Sequence, residues 1–130
     1  MEYKLELKNV SKKFGKFYAL KNLNMKVPKG KIYGLIGNNG AGKSTIMKLL
    51  NGNIYPDEGE ILISEKSSQA DLERERTKMG SIVDAPNLIE SMTALENLEY
   101  MKRLKGLDNV VDTKAILKSV NLENTGKKKA

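Results

Sequence analysis

The sequence contains no cysteine and no histidine among its 130 residues. The absence of cysteine excludes disulfide bonds and thiolate metal sites, and the absence of histidine removes the commonest general base and transition-metal ligand. Any metal that these residues bind is therefore expected to be a hard cation held by oxygen atoms.

Long apolar runs and a targeting segment are also lacking. No stretch approaches the roughly 18–20 consecutive apolar residues that span a bilayer, and residues 1–6 lack the basic and then apolar layout of a secretory signal. These absences predict a soluble chain that stays inside the cell. Hydrophobic residues make up 39% of the chain, which is enough for a compact domain with a buried core.

The formal net charge is +7, but the lysines are spread along the chain, and their main cluster is residues 127–129. Our interpretation is a solvated surface with a basic loop. Its premise is that aromatic residues do not interleave with these lysines, as they do in many nucleic-acid sites. No nucleic-acid partner is expected.

The first third of the chain predicts an antiparallel pair of strands. Apolar and charged residues nearly alternate over residues 3–10, as expected of a strand with one buried face. A second such segment covers residues 17–27, and the intervening residues 12–16 contain Gly15, which favours a loop. A turn is expected at residues 28–30.

A short, mostly apolar segment at residues 31–36 predicts a buried strand, and a glycine-rich segment follows it at residues 37–45. Apolar residues at helical spacing then predict a helix through residues 46–50, which Gly52 ends.

The remaining segments predict a strand at residues 60–63, an exposed charged helix at 70–78, a buried strand at 79–83 and a last helix at 110–120. Between them, a helix is expected to begin after Thr93, with Glu96 closing a capping box. The apolar positions of this helix are Leu95, Leu98, Met101 and Leu104.

The glycine-rich segment matches the pattern G-x-x-x-x-G-K-[ST] with Gly37, Gly42, Lys43 and Ser44. It lies between a predicted buried strand and a predicted helix, which is the setting in which this pattern cradles phosphates. The alternative is an ordinary glycine-rich turn with an incidental lysine. The predicted ATP-binding residues of this P-loop are Gly37, Asn38, Asn39, Gly40, Ala41, Gly42, Lys43, Ser44 and Thr45.

Each part of the pattern has a chemical role. Glycine lets the backbone curl, so that N–H groups of residues 39–45 can point at phosphate oxygens, and the helix adds its positive end. The mobile charge of Lys43 can follow the β- and γ-phosphates as negative charge shifts during transfer, which makes it a candidate catalytic residue. The hydroxyl of Ser44 is expected to bind Mg²⁺.

Over essentially its whole length, the chain resembles the ATP-binding subunits of ABC transporters. Upstream of the P-loop, residues 10–15 (Val-Ser-Lys-Lys-Phe-Gly) followed by Ala19 and Leu20 are similar to the opening segment of that family, in which an aromatic residue stacks on adenine. Phe14 occupies the stacking position, and a core role for Phe14 is the alternative. Downstream, Gly59-Glu60-Ile61 resembles the turn and strand of the family's antiparallel subdomain.

The segments 84–86 (Asp-Ala-Pro) and 91–98 resemble the family's loop that usually carries a glutamine. Asp84 stands at the glutamine's position, where the resemblance implies contact with Mg²⁺ and with the attacking water. Asp84 is therefore predicted as a catalytic and metal-binding residue, although it cannot donate a hydrogen bond as glutamine does. The alternative is that Asp84 caps a turn before Pro86. An acidic residue here resembles the branch that exports peptide antibiotics such as bacitracin and lantibiotics.

The resemblance implies an α/β fold with an incomplete P-loop NTPase core. Residues 1–30 and 53–65 would form its antiparallel β subdomain, residues 31–52 and 79–84 the P-loop core, and residues 85–130 the start of a helical subdomain. The family's signature, its second acidic motif and its switch histidine are absent, so we interpret the chain as an amino-terminal fragment. Its buried-type strands are then expected to lack sheet neighbours and to promote self-association.

The function implied is ATP hydrolysis by a full-length subunit that powers export, with antimicrobial peptides or drugs as candidate substrates. ATP and Mg²⁺ would be its cofactors, and its partners a membrane-spanning permease and a second ATPase subunit, at the cytoplasmic face of the membrane. The fragment itself is expected to bind ATP without efficient hydrolysis, since each ATP in this family also needs the partner's signature.

Two other interpretations remain open. The first is an ABC-type ATPase with no membrane partner that acts on nucleic acid or ribosomes, for which the positive charge would be suited. The second is a phosphotransferase or GTP switch with the same P-loop, although such proteins do not need the antiparallel segment before it.

Overall fold

The computed structural model describes residues 1–37, 42–83, 88–122 and 124. The chain divides into two units, residues 1–84 and 85–130. Among the described residues, the first unit holds a three-stranded sheet and two helices, and the second unit holds two helices. Within the described ranges, every helix is too short or too polar to cross a membrane.

The sheet consists of β1 (Tyr3–Phe14), β2 (Phe17–Pro28) and β3 (Glu58–Ile63) in the order β2-β1-β3, with both pairs antiparallel. The predicted antiparallel pair is confirmed. Its loop is shorter than the predicted residues 12–16, because residues 12–14 remain paired with β2 and leave only Gly15 and Lys16 unpaired. Gly15 has a φ of 62°, and glycine at the first position of a two-residue hairpin loop is typical of a II′ turn.

The core of the first unit lies between one face of this sheet and two helices. Helix α1 (Lys43–Asn51) buries three apolar residues at spacings of three and four, and helix α2 (Gln69–Arg76) adds Leu72. Leu49 of α1 has no exposed surface. The buried core residues are Leu7, Val10, Leu20, Met25, Ile46, Leu49, Leu50, Ile61, Ile63 and Leu72.

Helix α1 ends where the sequence predicts, at Gly52, whose φ of 86° is one that residues with a side chain rarely adopt. The guanidinium group of Arg76 from α2 donates hydrogen bonds to the carbonyl oxygens of Leu49 (3.1 Å) and Leu50 (3.0 Å). Since the last carbonyls of a helix have no partner within it, Arg76 satisfies two of them and joins α1 to α2.

The prediction of buried strands at residues 31–36 and 79–83 is wrong. Residues 31–37 have no regular secondary structure, and Ile32 and Ile36 are fully exposed. Ile82 is 66% exposed. A strand forms only by hydrogen bonding to a neighbouring strand, and the sheet in the described part of the chain consists of β1, β2 and β3.

Helix α2 also differs from the prediction of an exposed helix, because it buries Leu72 and the carboxylate of Glu75. Glu75 accepts hydrogen bonds from the ammonium groups of Lys78 (3.2 Å) and Lys66 (3.4 Å) and from the hydroxyl of Ser64 (3.2 Å). Lys4 of β1 lies 3.9 Å away. This carboxylate therefore connects α2 to β1 and to the turn after β3.

The stability that Glu75 supplies is expected to depend on pH. Hydrogen bonding from Lys78 is the main cause that lowers the pKa of Glu75 below its ordinary value; burial opposes it, and Ser64 and Lys66 add to the lowering. A carboxyl with a lowered folded-state pKa stabilises the fold above its unfolded pKa of about 4.3, and this contribution is lost as the pH falls further. Glu75→Gln should therefore be less stable than the parent at neutral pH, and the difference should shrink as the pH falls below the unfolded pKa and through the lowered folded-state pKa of Glu75.

Urea titrations at a series of pH values measure this difference. Glu73→Gln, an exposed position on the same helix, is the matched control and should show little change at any pH. A loss in Glu75→Gln that is equally large at acid and neutral pH would assign the role of Glu75 to packing rather than to charge.

The second unit contains α3 (Ala94–Leu104) and α4 (Thr113–Ser119). The predicted capping box is confirmed: the Glu96 amide donates to the Thr93 hydroxyl, and the Thr93 amide donates to the Glu96 carboxylate, both at 3.2 Å. Helix α4 begins three residues later than the predicted residue 110, because the Asp112 carboxylate accepts from the amides of Lys114 and Ala115 and caps it there.

The predicted apolar face of α3 is only partly covered, since Met101 is 45% and Leu104 is 63% exposed. The buried residue of α3 is Asn97. Its side-chain oxygen accepts a hydrogen bond from the Ile89 amide, and its side-chain nitrogen donates to the carbonyl oxygens of Ile89 and Thr93. A polar residue thus ties the preceding segment to the first turn of the helix.

Candidate nucleotide-binding site

The site begins where α1 meets β2. Gly42, the residue before α1, is buried and has a φ of 94°. A Cβ atom at this position would lie 2.7 Å from Leu20 Cδ2 and 2.9 Å from the carbonyl oxygen of Ala19. The second glycine of the motif is therefore required both by its backbone conformation and by the close approach of β2.

Lys43 is the first residue of α1, and its ammonium group donates a hydrogen bond to the carbonyl oxygen of Gly37. This bond joins the first glycine of the motif to its lysine. Residues 38–41, which include the predicted binding residues Asn38, Asn39, Gly40 and Ala41, lie outside the described residues. The ammonium is thus held by a neutral carbonyl, which is a weaker partner for it than an anionic phosphate oxygen.

The first turn of α1 favours an anion electrostatically. The N–H groups at the start of a helix have no acceptor within it, and the aligned peptide dipoles place partial positive charge there. The first turn of α1 holds no acidic side chain that would neutralise this charge. Together with Lys43, it can bind phosphate.

A cleft of about 380 Å³ lies between the start of α1 and the tip of the β1–β2 hairpin. This volume is within the range of small-ligand sites. The cleft is aromatic on one side and carries an ammonium and hydroxyl groups on the other, as the base and the phosphates of a nucleotide require. The residues lining it are Phe14, Phe17, Ala19, Gly42, Lys43, Ser44 and Thr45.

Phe14 is 51% exposed at the end of β1, so it is not a core residue as the alternative interpretation held. Its ring lines the cleft with the start of α1. Phe17 also lines the cleft, although the sequence predicts it only as the first residue of a strand. The available signal was its spacing: Phe17 is paired with Phe14 across a two-residue loop.

A site for Mg²⁺ rests on few protein ligands. Within the described ranges, no group of three or more acidic residues could hold a metal ion. Mg²⁺ usually takes one or two protein ligands and completes its shell with water and phosphate oxygens, so the exposed hydroxyl of Ser44 in the cleft fits that role. Asp84, the second predicted ligand and catalytic candidate, lies outside the described residues.

Lysine and aromatic side chains contact each other in the β1–β2 hairpin, which corrects the premise that the two residue types do not interleave. Lys12 lies over the ring of Phe14 at 5.6 Å, and Lys13 and Lys21 lie over Tyr18 at 4.7 and 5.4 Å. Lysine and aromatic residues do interleave along residues 12–21, contrary to the sequence argument. These cations contact aromatic rings of their own hairpin.

A sequence model of the family described as "ABC transporter" matches residues 20–130. Among curated proteins, the chain is 37% identical over 106 residues to the bacitracin transport ATP-binding protein BcrA of Enterococcus faecalis, covering 82% of this chain and 34% of BcrA. It is 38% identical over 125 residues to the lantibiotic transport ATP-binding protein SrtF of Streptococcus pyogenes, covering 95% of this chain and 52% of SrtF.

The chain is also similar to the methionine import ATP-binding protein MetN of Protochlamydia amoebophila (strain UWE25). The alignment is 137 residues long at 36% identity, and it covers 98% of this chain and 40% of MetN. Among solved structures, the ATP-binding cassette MJ0796 bound to ADP and Pi superposes with a TM-score of 0.74 at 32% identity, over 90% of this chain and 56% of MJ0796. The chain thus spans about half the length, or less, of the proteins it matches.

Proposed function

The chain belongs to the ABC transporter family, and on that premise we propose that it is the ATP-binding part of a transporter ATPase subunit. The observation that carries the proposal is the arrangement at the start of α1, where the Lys43 ammonium reaches the Gly37 carbonyl beside a cleft lined by Phe14. An ammonium and a helix amino terminus facing an exposed aromatic ring make up the two ends of a nucleotide site.

Three residues of the cleft have a direct role in this proposal. Lys43 leaves the Gly37 carbonyl for the β- and γ-phosphate oxygens, where the positive end of α1 adds to the attraction. Phe14 stacks on the adenine ring. Ser44 provides a hydroxyl ligand to Mg²⁺, which neutralises negative charge on the phosphates when it is bound.

The activity of the whole subunit is a proposal of wider scope. We infer ATP hydrolysis by a dimer of ATPase subunits docked on a membrane-spanning permease, at the cytoplasmic face of the membrane. Asp84 is proposed to contact Mg²⁺ and the attacking water there. Support for export of antimicrobial peptides or drugs comes from the likeness to BcrA and SrtF, which are named for transport of bacitracin and of a lantibiotic. MetN, named for import, has a similar identity, so the direction of transport is proposed on the acidic residue Asp84.

Titration calorimetry with ATP, with and without Mg²⁺, tests the binding proposal, together with a phosphate-release assay on the same chain. Saturable binding that strengthens with Mg²⁺, without phosphate release above background, is expected. Absence of heat at millimolar ATP would refute the nucleotide site. Rapid phosphate release would contradict the view that this chain supplies only one side of the catalytic site.

A further inference from the structure

Two exposed phenylalanines stand opposite each other at the tip of the β1–β2 hairpin. Phe14 ends β1, Phe17 begins β2, and the two are paired in the antiparallel register. Directly opposed residues of an antiparallel pair point to the same face of the sheet, with their side chains in reach of each other. Both rings line the cleft at the start of α1.

The exposure of these two rings indicates an apolar surface that can contact a ligand. Phe14 is 51% and Phe17 is 65% exposed, and they are the only two phenylalanines in the sequence. A flat ring left open to water next to a phosphate-binding loop gains apolar contact when a flat base covers it.

The two rings differ in what already covers them. The ammonium of Lys12 lies over Phe14, 5.6 Å from the ring centre, so one face of Phe14 is next to a cation. The ring contacts in the described part of the chain place no such cation over Phe17. Phe17 is therefore the more open of the two aromatic surfaces in the cleft.

We propose that Phe17 is a second base-binding residue, which contacts the nucleobase together with Phe14. The inference rests on the proposed function, since it requires that a nucleotide occupies the cleft. The energy of such a contact comes from the base alone, because the phosphates are held at the opposite side by Lys43 and the start of α1.

Replacing Phe17 with alanine should weaken binding of Mg-ATP about 30-fold, which is the middle of the range for losing one base-to-ring stack. Binding of inorganic triphosphate with Mg²⁺ should not change, because this probe has no base. Phe14→Ala should behave in the same way. Tyr18→Ala is the matched control and should alter neither affinity, because Tyr18 is outside the cleft lining and contacts Lys13 and Lys21.

A spectroscopic test reports the contact directly. The chain contains no tryptophan, so Phe17→Trp introduces a single indole. Its fluorescence should be quenched by Mg-ATP and unaffected by triphosphate, whereas Tyr18→Trp should respond to neither.

The outcomes separate this inference from the function on which it rests. Parent-like ATP affinity in Phe17→Ala would overturn the role of Phe17 and leave the nucleotide site intact. Equal losses for ATP and triphosphate would also overturn it, since they would indicate a distorted cleft. Failure of the parent chain to bind either probe would reject the nucleotide site itself, and the inference with it.

Discussion

Replacing Lys43 with alanine is expected to weaken Mg-ATP binding about 100-fold, or about 3 kcal/mol, the typical loss when a charged partner of an anion is removed. Lys43 stands at the first position of α1, and its ammonium donates a hydrogen bond to the Gly37 carbonyl. Alanine keeps the helix, so the expected loss is one of charge in the cleft. Titration calorimetry measures it, and a circular dichroism melt verifies that the variant folds.

Lys48→Ala is the matched control for this prediction. Lys48 lies in the last turn of the same helix and is not among the residues that line the cleft. The same chemical change at this position should leave ATP affinity unaltered within about 2-fold, because the distant charge is screened by salt. Similar losses in the two variants would attribute the effect to net charge rather than to the site.

The sequence predicts those parts of the fold whose causes lie within a few residues. Alternating apolar residues and Gly15 specify the β1–β2 hairpin, and Gly52 ends α1. The capping box of α3 forms as expected because Thr93 and Glu96 satisfy each other's backbone amides. The motif likewise indicates the start of α1 and the position of Lys43.

Burial is less predictable because it depends on distant partners. The apolar residues 31–36 have the composition of a buried strand, yet Ile32 and Ile36 are exposed where no described strand flanks them. Glu75 shows the reverse, since a charged residue in a polar helix is buried by contacts with Ser64 and Lys4, which lie far from it in sequence. Neither outcome follows from the local pattern.

In the candidate site, too, the residues of a local motif are predictable from the sequence, and a residue whose position depends on the fold is not. Gly42, Lys43, Ser44 and Thr45 come from one motif, and the structure places them in one cleft. Phe17 is not predicted from the sequence because its position beside Phe14 depends on the length of the hairpin loop. A loop of residues 12–16 would have separated the two residues, and the observed two-residue loop pairs them.

The largest loss of stability is expected when Gly59, the second residue of β3, is replaced by alanine. Its φ is 89°, and a Cβ atom there would lie 2.3 Å from the carbonyl oxygen of Asn9 and 2.6 Å from that of Lys8. The register between β1 and β3 shifts at this point, between Lys8 and Ser11, so that Gly59 faces a bulge in β1. Gly59→Ala should therefore lower the free energy of unfolding by about 3–4 kcal/mol, through backbone strain and overpacking combined.

Gly30→Ala separates these two causes. Gly30 also has a positive φ, of 73°, but a Cβ atom there would meet no atom within 4 Å. Alanine at this position should cost only the backbone strain, about 1–2 kcal/mol. Urea denaturation of both variants gives the comparison, and the difference between them measures the close approach of β1 to β3. Equal losses would mean that the bulge relaxes to admit a methyl group, and the glycine would then be required for its conformation alone.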